Sequence, residues 1–303
     1  MTQILSSLAP TRVNSTVLAI RDLRVSFGVM SSPSIHSGQE FPSVITVPGA
    51  KPFITFRTPF AAAYTLIGMK SLQVTNLDVF LSTFASTFGK SAASDHQELA
   101  LTASALGIAT ITGLSVSRGG ILFADVRIDY LSSNGTAHPI TRTVNNAMIT
   151  LAAQPTLHTI GPVVIDTVSY DGLTDFSIDL GQKVVVEEPC DGGSYPTIAC
   201  YIGGEPTISI SHDDPITLGG ILTTAGLSPA TSMILYAKQF SATTGAIVGG
   251  ATAVSITAAL TRIHPLETAA NQDEVAKMSA QAIPFNDGTG THPLAVSLSA
   301  TAP

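Results

Sequence analysis

The sequence predicts an all-β protein: a β-sandwich or open barrel of six to eight strands with one short helix, present as two tandem copies. Three observations predict it. Short runs alternate apolar and polar residues, as in residues 175–181 (DFSIDLG), the pattern of half-buried strands. Turn signals such as Pro48-Gly49, Asn134-Gly135 and Asp287-Gly288 punctuate the runs. And the text repeats: residues 22–28 (DLRVSFG) match residues 175–181 in character, at an offset of 175 − 22 = 153.

Further anchors extend the repeat. Gly38 matches Gly192, residues 41–43 (FPS) match 195–197 (YPT), and residues 51–54 (KPFI) match 205–208 (EPTI), all at an offset of 154. His138-Pro139-Ile140 and His292-Pro293-Leu294 hold the same offset, while Phe84 and Phe240 pair best at 156, which requires small insertions. A period this long exceeds the roughly 20–50 residues of solenoid units and is the size of a domain. The expected organisation is an N-terminal arm over 1–15, a first β domain over 16–153, a linker over 154–162 that contains Pro155, Gly161 and Pro162, and a second β domain over 163–303.

In chain order, residues 17–20 read as a short strand and 22–28 as the first clear one, with Leu23, Val25 and Phe27 on one face. Residues 30–40, rich in Ser with Pro33 and Gly38, read as a loop. Strands at 43–47 and 53–56 follow, joined by a turn at Pro48-Gly49, and residues 60–66 after Thr58-Pro59 form a short helix. Its counterpart at 216–225 has Asp213-Asp214 as N-cap, Pro215 in the first turn and Gly226 as C-cap. Strands are expected at 72–84 and 233–240, at 99–116 with a break near Gly107, and at 121–131, 253–263 and 275–285. The two His-Pro pairs lead into the last strand of each copy.

Charged residues make up only 12% of the chain, about half the usual share, which suggests a surface largely covered by other subunits. A secreted β-protein rich in Ser and Thr is the other composition that looks like this. The net charge is −7 and no Lys/Arg cluster occurs, which disfavours tight nucleic-acid binding; a surface past which nucleic acid must slide would avoid positive charge. The N-terminus lacks the basic and apolar regions of a signal peptide, and no apolar run reaches membrane-spanning length. Cys190 and Cys200 correspond to His36 and Thr46 of the first copy, so the shared fold needs no disulfide. Free thiols in a reducing compartment are expected, and two cysteines without CxxC spacing are too few to hold a metal.

No constellation stands out as an active site. His138 and His292 are explained as loop-entry residues. His212-Asp213-Asp214 resembles a carboxylate–histidine site, but its counterpart is Thr58-Pro59 and helix capping accounts for the acids. The paired acids Glu187 and Glu188 have Ser34 and Ile35 as counterparts. No phosphate loop, nucleophile elbow or zinc-protease motif occurs. The expectation is a protein that is not an enzyme and carries no cofactor.

The stretch from Phe176 to Ile210 resembles the tail tube (major tail) proteins of long-tailed bacteriophages. The resemblance rests on the alternating strand Phe176, Ile178, Gly181, the Asp191-Gly192 loop, Tyr195-Pro196-Thr197, the strand over 207–210, and the acidic pair Asp213-Asp214. It covers the second copy well. The first matches more weakly, with Lys51 in place of Glu205 and Thr58-Pro59 in place of the acidic pair. The resemblance implies a non-enzymatic virion protein, assembled in the host bacterial cytoplasm into stacked rings around a lumen that DNA crosses only transiently. It also implies a tape measure protein and a tail terminator as partners. Because one chain carries two such domains, three chains would make the six-domain ring, a trimeric, pseudo-hexameric assembly. The loops between the first two core strands of each copy, with Met30, Ser34, His36, Gly38, Glu187, Glu188, Asp191 and Gly192, are expected to contact the next ring, as is the arm. The reading from a different class is a two-domain β-sandwich decoration or carbohydrate- and surface-binding module. The absence of Trp speaks against it.

Overall fold

The computed structural model describes residues 10–34, 44–82, 96–146, 155–187, 193–213, 231–241, 243–269, 277–286, 288 and 292–303. Strands follow the alternation of the sequence. In residues 53–59, Ile54, Phe56 and Thr58 are buried while Phe53, Thr55 and Arg57 lie on the more open side.

In chain order the elements of the first half are β1 (Pro10–Val13), β2 (Thr16–Ala19), β3 (Arg21–Ser26), β4 (Val29–Ser34), β5 (Val44–Ala50), β6 (Phe53–Pro59), α1 (Phe60–Ile67), β7 (Leu72–Val74), β8 (Leu77–Ser82), β9 (His96–Leu101), β10 (Leu106–Ser117), β11 (Phe123–Leu131) and β12 (Ile140–Asn146). Those of the second are β13 (Leu157–Ile165), β14 (Val168–Tyr170), β15 (Leu173–Asp179), β16 (Val184–Val186), β17 (Ala199–Tyr201), β18 (Thr207–His212), β19 (Thr231–Phe240), β20 (Ala253–Ala269), β21 (Lys277–Pro284) and β22 (Leu294–Ala300). One sheet has the order β12-β9-β8-β1-β2. A large antiparallel sheet runs β14-β13-β19-β20-β21-β18-β15-β10-β11-β6-β3, with β22 on β20 and β7 on β10. Two ribbons, β4·β5 and β16·β17, stand apart from both.

The apolar sides of the sheets share one contiguous core, in which Leu18, Leu77 and Val79 join Ile54, Phe56, Leu114, Val126 and Ile128. Helix α1 buries Phe60, Ala63 and Ile67 against it, a spacing of three and four residues that keeps all three on one stripe. Its first turn is anchored by Phe60 N–H donating to Leu122 O at 3.1 Å, and it ends where Gly68 N–H donates back to Tyr64 O at 2.8 Å.

Pairings recur along the chain. Val25 pairs with Ile54 and Ile178 with Ile208, offsets of 178 − 25 = 153 and 208 − 54 = 154. Ile54 pairs with Ile128 and Ile208 with Ala282, and 282 − 128 is again 154. The bulge between Ile111 and Gly113 of β10 reappears between Pro265 and Glu267 of β20, 154 residues on. The hairpin pair Val13 with Thr16 reappears as Ile165 with Val168, at 152. The long strand differs: β20 is continuous where the first half has β9 and β10, interrupted by 102–105.

Several expectations need correction. Residues 10–13, placed in the N-terminal arm, are strand β1, held between β2 and β8. The linker over 154–162 contains strand from Leu157 onward, because Leu157–Ile160 pair with Ala237–Phe240 before a register shift at Gly161-Pro162. Residues 31–34 are strand, and β5 pairs with β4, not with β6. Pro48-Gly49 is therefore no turn. It lies within β5 opposite the register shift between Met30 and Ser32, where a proline without N–H is tolerated. The break in 99–116 falls at 102–105, not at Gly107. The second helix, expected over 216–225, lies outside the described residues.

Candidate functional site

Each ribbon leaves the large sheet at a glycine. Gly28 and Gly181, both at φ 56°, turn the chain out of β3 and β15, and Lys51 N–H closes the first root by donating to Gly28 O at 3.0 Å. The second ribbon is closed by Lys183 N–H to Gly203 O at 2.8 Å and Ile202 N–H to Lys183 O at 3.0 Å.

The two ribbons meet at their bases. Ala50 N–H donates to Ser194 O at 2.8 Å, and Lys51 Nζ donates to Val186 O at 3.2 Å. The turn at Gly135 holds the second ribbon's return segment: its carbonyl accepts from Ser194 N–H at 2.7 Å and Tyr195 N–H at 2.9 Å. The His138 ring lies 6.1 Å from Phe27 and 5.0 Å from Tyr195. His138 Nδ1 accepts from Ile140 N–H at 3.0 Å, and His292 Nδ1 accepts from Leu294 N–H at 3.1 Å, so both histidines serve as turn braces at the entry to the last strand.

Of the expected contact residues, Met30 and Ser34 stand on β4 opposite Gly49 and Val44. Glu187 is exposed, and its N–H donates to Ile198 O at 3.0 Å, extending the β16·β17 ribbon by one step. His36, Gly38, Glu188, Asp191 and Gly192 lie outside the described residues. Unanticipated was the apolar character of the ribbons: Val29, Val185, Ile198 and Ile202 are all exposed. The signal was present in Val184-Val185-Val186. An apolar run in a two-stranded ribbon has no second layer to bury against, so one side faces water. Clustered exposed apolar groups mark surfaces that bind other proteins.

The open side of the large sheet is mostly polar, with Phe53 and Phe123 set among the polar groups. It carries Arg24, Arg57, Ser115, Asp125 and Arg127 from the first half and Asp175, Ser177, Asp179, Ser209 and Ser211 from the second. Two arginines are held by acids: Arg57 Nε lies 2.9 Å from Asp125 and Arg127 Nη2 lies 2.6 Å from Asp129. Burial pushes the Asp125 carboxyl above its usual range, against the pull of Arg57.

Asp213 is engaged by Arg118 at 2.5 Å. Among the described residues no group of three or more His, Cys, Asp or Glu could hold a metal ion, and no helix is long and apolar enough to cross a membrane. The groove beside α1, of about 660 Å³, is lined by Thr16, Thr65, His158 and Thr252. Burial holds the His158 imidazole below its ordinary pKa, and its Nε2 sits 3.2 Å from Thr252 O. Among the described residues, the groove's lining contains no acid or thiol to act with that histidine. No family model matches this sequence, and no curated protein matches it.

Proposed function

We propose that this chain is a non-enzymatic structural subunit of a bacteriophage tail tube, built from two copies of one β domain. Three chains form a ring with approximate six-fold symmetry, and rings stack into a tube through which DNA passes. The observation that carries it is the recurrence of one pairing scheme at 152–154 residues, bulge included, in two halves joined edge to edge through β10 and β15. A chain whose halves are alike and share one sheet supplies two equivalent wall segments.

The polar open side of that sheet is the lumen wall in this reading. Arg57 and Arg127 sit in ion pairs with Asp125 and Asp129, which weakens their hold on a phosphate backbone in transit. The ribbons, with Val29, Val185, Ile198 and Ile202 exposed, meet the next ring. A tape measure protein inside the tube and a terminator at its end are the further partners, and the virion tail is the location.

Electron microscopy of the purified full chain tests it. Rings or tubes with three chains per layer are expected. Isolated monomers that bind a glycan array would favour the decoration or carbohydrate-binding reading instead. Six chains per ring, with twelve β domains around one lumen, would sink the stoichiometry.

A further inference from the structure

The large sheet passes between the two halves at one seam. Gly113 pairs with Asp179, Leu114 with Ile178, Ser115 with Ser177 and Val116 with Phe176. Leu180 N–H donates to Thr112 O at 2.9 Å, and Arg118 N–H to Thr174 O at 2.7 Å. The counterpart of β15, 153 residues earlier, is β3. It pairs with β6 on one side and, among the described residues, with no strand on the other. The counterpart of the β10 seam, 154 residues later, begins at Glu267. There Glu267–Ala269 pair with β21 and, among the described residues, with no strand on their other side. Among the described residues, the chain thus joins one copy of each of these two edges internally and leaves the other copy of each unpaired.

Burial points the same way. Phe176, Ile178 and Leu180, on the joined edge, are 1%, 1% and 0% exposed. Their counterparts on the open edge are Leu23 and Val25, which are only partly buried, and Phe27, which is 51% exposed. Leu266, the counterpart of Thr112, is 60% exposed.

We propose that β3 of one chain adds antiparallel to the 266–269 segment of β20 in a second copy, in the register of the internal seam. Ser26 then stands opposite Glu267, Val25 opposite Thr268 and Arg24 opposite Ala269, and Phe27 N–H donates to Leu266 O. Free edges are ready templates for such pairing. The contact is head-to-tail, each chain offering β3 to one neighbour and β20 to the other. The inference deepens the tube proposal and rests on the two-copy reading within it.

Cysteine cross-linking of the full chain tests the register, in a background with Cys190→Ser and Cys200→Ser. The hydrogen bonds flanking the internal seam make Ser115 and Ser177 a non-hydrogen-bonded pair, so Arg24 and Ala269 are one as well, with Cβ atoms close enough for a disulfide. Arg24→Cys with Ala269→Cys is expected to give covalent oligomers on oxidation of concentrated protein. Arg24→Cys with Thr268→Cys, on opposite faces, is not. Ser115→Cys with Ser177→Cys should close within one chain, as the internal control. Phe27→Ser should weaken oligomerisation at least tenfold, while the monomer stays folded with an unfolding temperature lowered only by the loss of the half of Phe27 that is buried. The pairing is overturned if the control closes but the in-register pair does not cross-link, or if both intermolecular pairs cross-link equally. Tubes without the cross-link would overturn the pairing and leave the tube reading standing. The cross-link without tubes would do the reverse.

Discussion

Gly28 and Gly181 adopt the same left-handed conformation, and a Cβ on either would collide with a carbonyl oxygen, that of Lys51 or of Glu205. The colliding partners are themselves 205 − 51 = 154 apart. Neither glycine can be replaced without moving a backbone that closes the root of a ribbon. We expect Gly28→Ala and Gly181→Ala each to cost about 2–4 kcal/mol in urea unfolding. Losses under about 0.5 kcal/mol at either site would show that the strand exit is free to relax.

One charged pair in the first half has an apolar counterpart in the second. Arg12 on β1 and Asp78 on β8 are paired across the ladder and bridged by a salt bridge, with Asp78 almost fully buried. The matching positions, offset by 152 and 156, are Val164 and Ile234, also paired. We expect Asp78→Ala alone to cost about 2–4 kcal/mol, because it strands a partly buried guanidinium. The double change Arg12→Val with Asp78→Ile should come within about 1 kcal/mol of the parent, since the second half already packs that combination. A double-mutant cycle in urea reads both values, and an equally large loss in the double change would refute the equivalence.

Acid should weaken the fold through two histidines. Burial lowers the pKa of His158 and of His292, the latter aided by nearby Lys70, from an ordinary value of 6.5. Above that value both imidazoles are neutral whether the chain is folded or not. As pH falls below it, the unfolded chain takes up protons first, so stability declines until the lowered folded pKa is passed. The unfolding temperature should therefore drop between pH 7 and pH 5, and His158→Gln should flatten that slope. An unchanged slope in the variant would assign the acid sensitivity elsewhere.

The ribbons should matter for assembly and not for folding. Val185 and Ile202 are exposed, so Val185→Ser with Ile202→Ser should change stability by no more than about 0.5 kcal/mol per site. Sedimentation should nonetheless show rings that no longer stack. Stacking at the parent concentration would remove the ribbons from the inter-ring contact.

Much of this architecture was legible in the residues. Alternation in 22–28, 53–59 and 175–181 reports which side of a strand is buried, since successive side chains point to opposite faces. Residues 22–28 and 175–181, matched as text, fall on β3 and β15, and the partners the structure gives them, Ile54 for Val25 and Ile208 for Ile178, keep the same offset. The His-Pro pairs were correctly read as turn residues. Of the expected contact loops, residues 30–34, 187 and 193 fall among the described residues, while the exposed Val29, Val185, Ile198 and Ile202 of the ribbons beside them went unread because an apolar residue in a strand is ordinarily a core residue.

By itself, then, the sequence determined the all-β class, the position of most strands and the offsets that relate them, because these depend on local periodicity and on matches along the chain. Tertiary structure alone decided which edges meet. It put β5 on β4 rather than β6, drew residues 157–160 out of a supposed linker into the ladder with β19, and joined β10 to β15. Alternation tells a strand which way to face and is satisfied equally by any neighbour in register. The choice of neighbour falls to contacts far apart in the chain, where burying Phe176, Ile178 and Leu180 against the shared core selects one edge over another.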